Sequence, residues 1–242
     1  MRHASRRAAP AFGTLLLCST AMANGAGDDV LTLGWTYIDP RSSSGPLTLV
    51  DVGGMPVNQP QSGTGVKVNS ATTVLFGWEH FWSNQISTKL MLGYPPTHEL
   101  QGTGTLASAG VIGEGQQLSP ALIARYTFGE PEQRLRLFVG IGINYTWFRE
   151  THITNDTYRQ AAFGPAATTT VTASSSWNPV YNVGLSYRLD EHWSLGVSLV
   201  HLPLKTRITV VAQNTAIGAN TTVVTDVRLR GICSELFLGY RF

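Results

Sequence analysis

Few residues in this chain have the type and spacing that chemistry requires. Nucleophilic acyl transfer needs a Ser beside a His, with a carboxylate orienting the ring. The one His-x-Ser run, His3-Ala4-Ser5, falls in an N-terminal segment that reads as an export signal. The histidines at 80, 98, 152, 192 and 201 show no paired or helical ligand spacing, so no metal site is expected. The Gly-x-Gly runs in "GTGTLASAG" and "VGIGIN" open no helix after a strand, which leaves no phosphate loop and no cofactor site. With 13% charged residues and a net charge of +2, the chain lacks the basic face that nucleic acid requires. No catalytic residue, metal or cofactor is therefore assigned, and enzymatic activity is not expected. What remains is a sparse set of charges, Lys89, Arg125, Arg136 and Glu235, each inside an otherwise apolar run.

Those runs have period two. "DVLTLGWTYID" puts Leu31, Leu33, Trp35 and Tyr37 on one face and Thr32, Gly34 and Thr36 on the other, as a strand does. The same alternation marks "NSATTVLFGWE", "ISTKLMLGY", "QQLSPALIARYTF", "LRLFVGIGINYTWF", "SWNPVYNVGLSYRL", "HWSLGVSLVHL" and "TDVRLRGICSELFLGYRF", giving eight candidate strands. Strands two and three, four and five, and six and seven are joined by the brief "EHFWSNQ", "GEPEQR" and "LDEH". The other connections, residues 40–69, 95–115, 149–175 and 206–223, are long and rich in Gly, Ser and Thr. A short helix is expected in the third of these, at "TYRQAAF".

Such a pattern predicts an all-β fold, an eight-stranded antiparallel transmembrane β-barrel with short periplasmic turns and long extracellular loops. Hydrocarbon tolerates strands only when every backbone group is paired, which demands a closed sheet. Aromatic residues gather near the strand ends, where interfacial girdles belong. Residues 1–23 carry Arg2, Arg6 and Arg7, an apolar stretch, and the small-x-small site Ala21-Met22-Ala23. They read as a signal peptide cleaved after Ala23, with one barrel domain over 24–242 in a Gram-negative outer membrane. Removal of that segment takes Cys18 away and leaves Cys233 alone, without an internal disulfide.

"SPALIARYTFG", "LFVGIGINYTWF", the Ser-Trp at 176–177 and the closing "LGYRF" resemble the OmpW family of small outer-membrane barrels. The resemblance runs from about residue 29 to 242. It implies a passive, porin-like conduit for small hydrophobic molecules, alkanes among them for some members, with a narrow lumen and an exit sideways between strands. It also implies a constriction of two bulky apolar residues, matched here by Met91 and Val200. The alternating apolar face Leu236, Leu238, Tyr240 and Phe242 resembles the signal read by the outer-membrane assembly machinery.

Parity divides the inward residues into two zones. Met91, Ile123, Phe138, Gly140, Gly142, Val200, Leu202 and Leu229 are the candidate ligand path, with the glycines keeping a narrow chamber open. Lys89, Arg125, Arg136 and Glu235, near the short-turn end, are the candidate polar plug, because buried charges persist only when paired or hydrated. Pro120 and Pro179 each remove a ladder hydrogen bond and mark places where the wall can loosen. The expected partners are outer-membrane lipids, small hydrophobic solutes and the assembly machinery. The alternative is a structural or adhesive barrel with a closed lumen, acting through its external loops.

Overall fold

A computed structural model describes residues 25–214 and 219–242; the expected signal peptide, residues 1–23, lies outside the described residues. Eight strands close into a ring: β1 (Asp29–Asp39), β2 (Ala71–Phe81), β3 (Ile86–Gly93), β4 (Ala121–Thr127), β5 (Leu135–His152), β6 (Ser176–Arg188), β7 (Trp193–Asn214) and β8 (Ala219–Arg241). Each pairs antiparallel with its sequence neighbours, and β1 closes on β8 from Val30 opposite Arg241 to Asp39 opposite Ile232. Closure removes both edges, so the backbone groups of the wall are satisfied within the sheet.

The alternation read from the sequence becomes an outside and an inside. Leu33, Phe76, Leu137, Ile141, Val197 and Leu238 are exposed on the outer surface, forming the band that meets lipid tails. Trp78, Trp82, Tyr126, Trp193 and Tyr240 ring one end of the band, and Trp35, Tyr37, Tyr94 and Trp177 the other. Thr32, Thr36, Ser87, Asn182 and Ser198 point inward and are buried. The turns at 82–85, 128–134 and 189–192 all lie at one end.

At the other end the structure corrects the sequence reading. The stretches expected as loops are largely strand. β7 and β8 run on together from Trp193 opposite Tyr240 to Asn214 opposite Ala219, so most of residues 206–223 extends the wall. The cause is local: "RITVVAQN" and "NTTVVTDVR" are rich in Val and Thr, which suit a pleated surface whether or not lipid is outside it. Thr64–Val68, Thr97–Gly104 and Val111–Leu118 form a small sheet that joins β5 above the barrel. Ala167–Ala173 pairs with β7. The helix at "TYRQAAF" is present as Asp156–Phe163, its first turn capped where the Asn155 side chain accepts from the Tyr158 N–H at 2.9 Å.

Strand four is also not continuous. It breaks at Ser119-Pro120 into Val111–Leu118 and β4. A Pro nitrogen has no hydrogen to donate, so a ladder is readily interrupted there.

Candidate functional site

Near the turn end the lumen is filled by buried side chains. Arg125 on β4 reaches across to Glu79 on β2, Nη1 to Oε2 at 2.6 Å, and both side chains are buried. The Ser87 hydroxyl donates to the other Glu79 oxygen at 2.5 Å, and Ser198 donates to Glu235 at 2.7 Å. Lys89 lies within Coulombic reach of Glu235 and Glu79, its Nζ 4.9 Å from the centre of the Phe237 ring. The Arg125 guanidinium stacks 3.4 Å from the Phe138 ring centre. Two cations and two carboxylates thus make a neutral cluster packed against two rings. Such a cluster is tolerable in low dielectric because each charge has an opposite within reach.

Two aromatic rings fit this narrow floor because glycines face them. Phe138 is opposite Gly184 and Phe237 opposite Gly196 in register, and a Cβ on either glycine would strike the ring. Phe138 therefore belongs to the plug, not to the ligand path assigned from sequence. Gly140 and Gly142 leave that path too. Side chains of Ile123 and Arg125 lie over Gly140, and a Cβ on Gly142 would meet the Leu122 carbonyl. Their bare face admits close packing of β4 against β5, and it does not hold a chamber open. Arg136 is buried but apart from the cluster. Its guanidinium donates to the carbonyls of Asn84 at 2.5 Å and Gly129 at 3.3 Å, fastening the short turns. Beneath the plug a vestibule of about 50 Å3 opens at the turn end.

Above the plug the lumen becomes apolar. Met91, Ile123, Val180 and Val200 form one buried cluster, with Leu202 and Cys233 packed on it. This cluster floors a cavity of about 100 Å3 whose walls include Leu75, Pro96, Ala121 and Leu204. A second cavity of about 100 Å3 lies farther out, between Val66, Ile112, Phe148, Ile208 and Val227. Leu229, His98 and Gln117 border both. Polar side chains beside the inner chamber are mutually satisfied: Asn144 donates to the Pro120 carbonyl at 2.9 Å and accepts from Thr146 at 2.6 Å.

The OmpW family profile matches residues 26–242. This chain belongs to the OmpW family. Outer membrane protein W of Vibrio cholerae serotype O1 is 28% identical over 228 residues, 94% of each chain. Outer membrane protein AlkL of Ectopseudomonas oleovorans is 25% identical over 144 residues, 60% of this chain and 57% of its own. The crystal structure of outer membrane protein OprG from Pseudomonas aeruginosa superposes with a TM-score of 0.77 at 23% identity, covering 92% of this chain and 98% of that one. The OmpW-family chain is accordingly a non-enzymatic barrel of the Gram-negative outer membrane, embedded in lipid.

In this OmpW-family barrel the wall is interrupted beside the inner chamber. Pairing of β3 with β4 ends at Met91 opposite Ala121 and resumes only where the Gln117 N–H donates to the Pro96 carbonyl, at 3.1 Å. Pro95, Pro96 and Pro120 flank the break, so the gap strands few donors. Nearby polar groups are redirected: the Pro120 carbonyl accepts from the Tyr145 N–H at 3.2 Å, and the Tyr94 carbonyl accepts from the Thr73 hydroxyl at 2.5 Å. Gly93, Pro96, Ser119 and Ala121 border both the gap and the chamber. Outside, Leu92, Leu122 and Tyr94 form an apolar lip. Pro179 stays within the β5–β6 ladder opposite Ile143, but β6–β7 pairing stops at Tyr181 opposite His201, two residues short of it.

Sequence reasoning missed Glu79 and His98. Glu79 was within reach: with Val74, Phe76 and Trp78 outward, parity turns Glu79 inward. His98 had no signal, because it reaches the lumen from a segment taken for loop. Its Nδ1 lies 3.1 Å from the Asn69 carbonyl, which can only accept, so Nδ1 carries the hydrogen and Nε2 is buried without a partner. Burial holds this imidazole below its ordinary pKa of 6.5, and the Asn69 bond offsets only part of that.

Proposed function

We propose that this OmpW-family barrel is a passive conduit for small hydrophobic molecules, which enter from outside, occupy the inner chamber and leave sideways between β3 and β4. The observation carrying this reading is the coincidence, at one level of the barrel, of an apolar chamber, a floor sealed by a neutral ion cluster and an interruption of the wall. Cavities this small are filled by side chains or by one small ligand. A water-filled pore does not fit, because the plug occupies the cross-section beneath. The two-chamber path runs past Leu229 and His98 to Leu202, Val200 and Met91, with Ile123 beneath. Met91 and Val200 share one cluster, as a constriction requires. Small apolar solutes and membrane lipid are thus the two partners of the lumen and its exit.

The outward face of β8, with Leu236, Leu238 and Tyr240 exposed and Phe242 exposed just beyond it, fits a pairing surface for the assembly machinery. The segment 1–23 is proposed as the signal that delivers the chain there.

The decisive experiment staples the gap. Continuing the β3–β4 register two residues beyond Met91 and Ala121 sets Gly93 toward Ser119. In a Cys233→Ala background, Gly93→Cys with Ser119→Cys permits an oxidisable bridge. Uptake of a small apolar dye by bacteria producing this variant should fall when the bridge forms and recover with reductant. Equal uptake by oxidised and reduced protein would rule out the lateral route.

A further inference from the structure

The lipid-facing surface carries little charge up to one level, where Asp39 stands, and above it, around β7 and β8, becomes strongly cationic. Lys205 is directly opposite Arg228, and Arg230 lies one outward position below Arg228, opposite Pro203. All three are exposed and face outward. Arg207 and Arg41 share this face, but each has its own carboxylate: Arg207 grips Asp226 at 2.7 and 3.0 Å, and Arg41 holds Asp39 at 3.1 Å. Among the described residues, Lys205, Arg228 and Arg230 form no ion pair. Like charges directly opposite on one face of a ladder repel, their Cβ atoms about 5 Å apart. A three-cation triangle of this kind is therefore incomplete without an external anion.

Its height identifies that anion. From Tyr240, in the turn-end girdle, to Arg230 is ten residues of β8, about 33 Å along a strand and roughly 25 Å along the membrane normal at the usual tilt. That is the thickness of the apolar band, so Arg230 stands at its outer rim and Lys205 and Arg228 just above it. A phosphomonoester on a lipid anchored in the outer leaflet is held at this depth by its acyl chains, whereas a free anion is not. Below the triangle, Leu199, Ile232, Leu236 and Val197 offer the apolar surface such chains would cover.

We infer that Lys205, Arg228 and Arg230 form a binding site for the phosphate of a phosphorylated outer-leaflet glycolipid. The site docks one face of the barrel to the lipopolysaccharide layer. Charge-assisted bonds from two guanidinium groups suit a phosphate, which accepts Arg in a bidentate fork.

The purified barrel in neutral detergent would be titrated with three probes: bisphosphorylated lipid A, its dephosphorylated form, and inorganic phosphate. Saturable binding of the phosphorylated lipid is expected, with affinity falling as salt rises and at least about tenfold weaker binding of the dephosphorylated lipid. The triple variant Lys205→Gln, Arg228→Gln, Arg230→Gln should bind about 100-fold more weakly, at about fivefold per charge near a membrane surface. Lys67→Gln, an exposed cation of the outer sheet, should change nothing. Should the triple variant not fold, Arg230→Gln alone serves, with about a fivefold loss. Equal binding by variant and parent, or equal binding of the dephosphorylated lipid, would overturn the assignment. Inorganic phosphate binding as tightly as the glycolipid would make this a free-anion site and overturn it equally.

Discussion

Replacing Glu79 by Gln tests whether the floor of the lumen is held by charge pairing. In the parent, Glu79 accepts from Arg125 at 2.6 Å and from Ser87 at 2.5 Å, all three buried. Gln keeps the shape and removes the charge, so the cluster passes from neutral to a net positive and Arg125 is left against Phe138 and Lys89. Breaking a buried pair from one side costs about 3 to 5 kcal/mol, because the surviving ion is stranded in low dielectric. Removing both partners costs far less, since Arg125→Met with Glu79→Gln leaves Lys89 and Glu235 to balance each other. Urea unfolding of the barrel in vesicles, followed by tryptophan fluorescence, gives the three stabilities and their coupling energy. We expect Glu79→Gln to lose about 3 kcal/mol and the double variant to lose clearly less than the sum of the singles. Strict additivity, or a single-variant loss under about 1 kcal/mol, would refute a pairing-based plug. Apolar uptake should survive in the double variant, because the proposed path leaves the barrel above this level.

Filling the inner chamber should close the path from within: Met91→Trp with Val200→Trp is expected to cut apolar-dye uptake severely, and parental uptake would show that the chamber of about 100 Å3 is not used. Gly184→Val sets side-chain atoms against the Phe138 ring and the Val197 carbonyl, so urea unfolding should report a loss of about 2 kcal/mol from overpacking; no loss would mean that Phe138 has room to move. His98 stays neutral while buried, so an opened outer sheet binds a proton more readily than the closed one as pH falls through 6.5. Stability of Thr97–Gly104 is therefore full above that pH and declines below it. Amide exchange corrected for intrinsic rates should show protection lost between pH 7 and pH 5, and less so in His98→Phe; an unchanged pH response in that variant would clear His98.

The membrane-spanning part was legible because lipid enforces a two-way choice at every position. Trp35, Phe76, Ile141 and Leu236 cannot turn inward without bringing Thr36, Gly77, Gly142 or Glu235 to the hydrocarbon, so alternation alone fixes the face. Above the band that discipline lapses. Water accepts either face there, and the Val/Thr runs flanking 215–218 form strand as readily as loop. The plug was half legible for a related reason. Parity turned Lys89, Arg125 and Glu235 inward, yet the pairing of Arg125 with Glu79 spans 46 positions and two intervening ladders. Gly140 and Gly142 misled because a missing side chain reads identically whether the space is empty or occupied by a neighbour. Only the closeness of β4 shows that Ile123 and Arg125 occupy it.

The position of the gap follows from the exterior as much as from the interior. Interruptions at the level of the chamber include one between β3 and β4 and one between β6 and β7. Outside the second stand His201, Pro203 and Lys205, followed on β8 by Arg230. A hydrocarbon leaving there would cross a cationic rim and whatever lipid phosphate it holds, losing apolar contact at the moment of exit. Outside the first are Leu92, Leu122 and Tyr94, with no charge to cross. If both interruptions were exits, stapling β3 to β4 would halve uptake. With the β3–β4 gap as the exit, the staple should instead abolish uptake, because the β6–β7 interruption opens onto a charged surface.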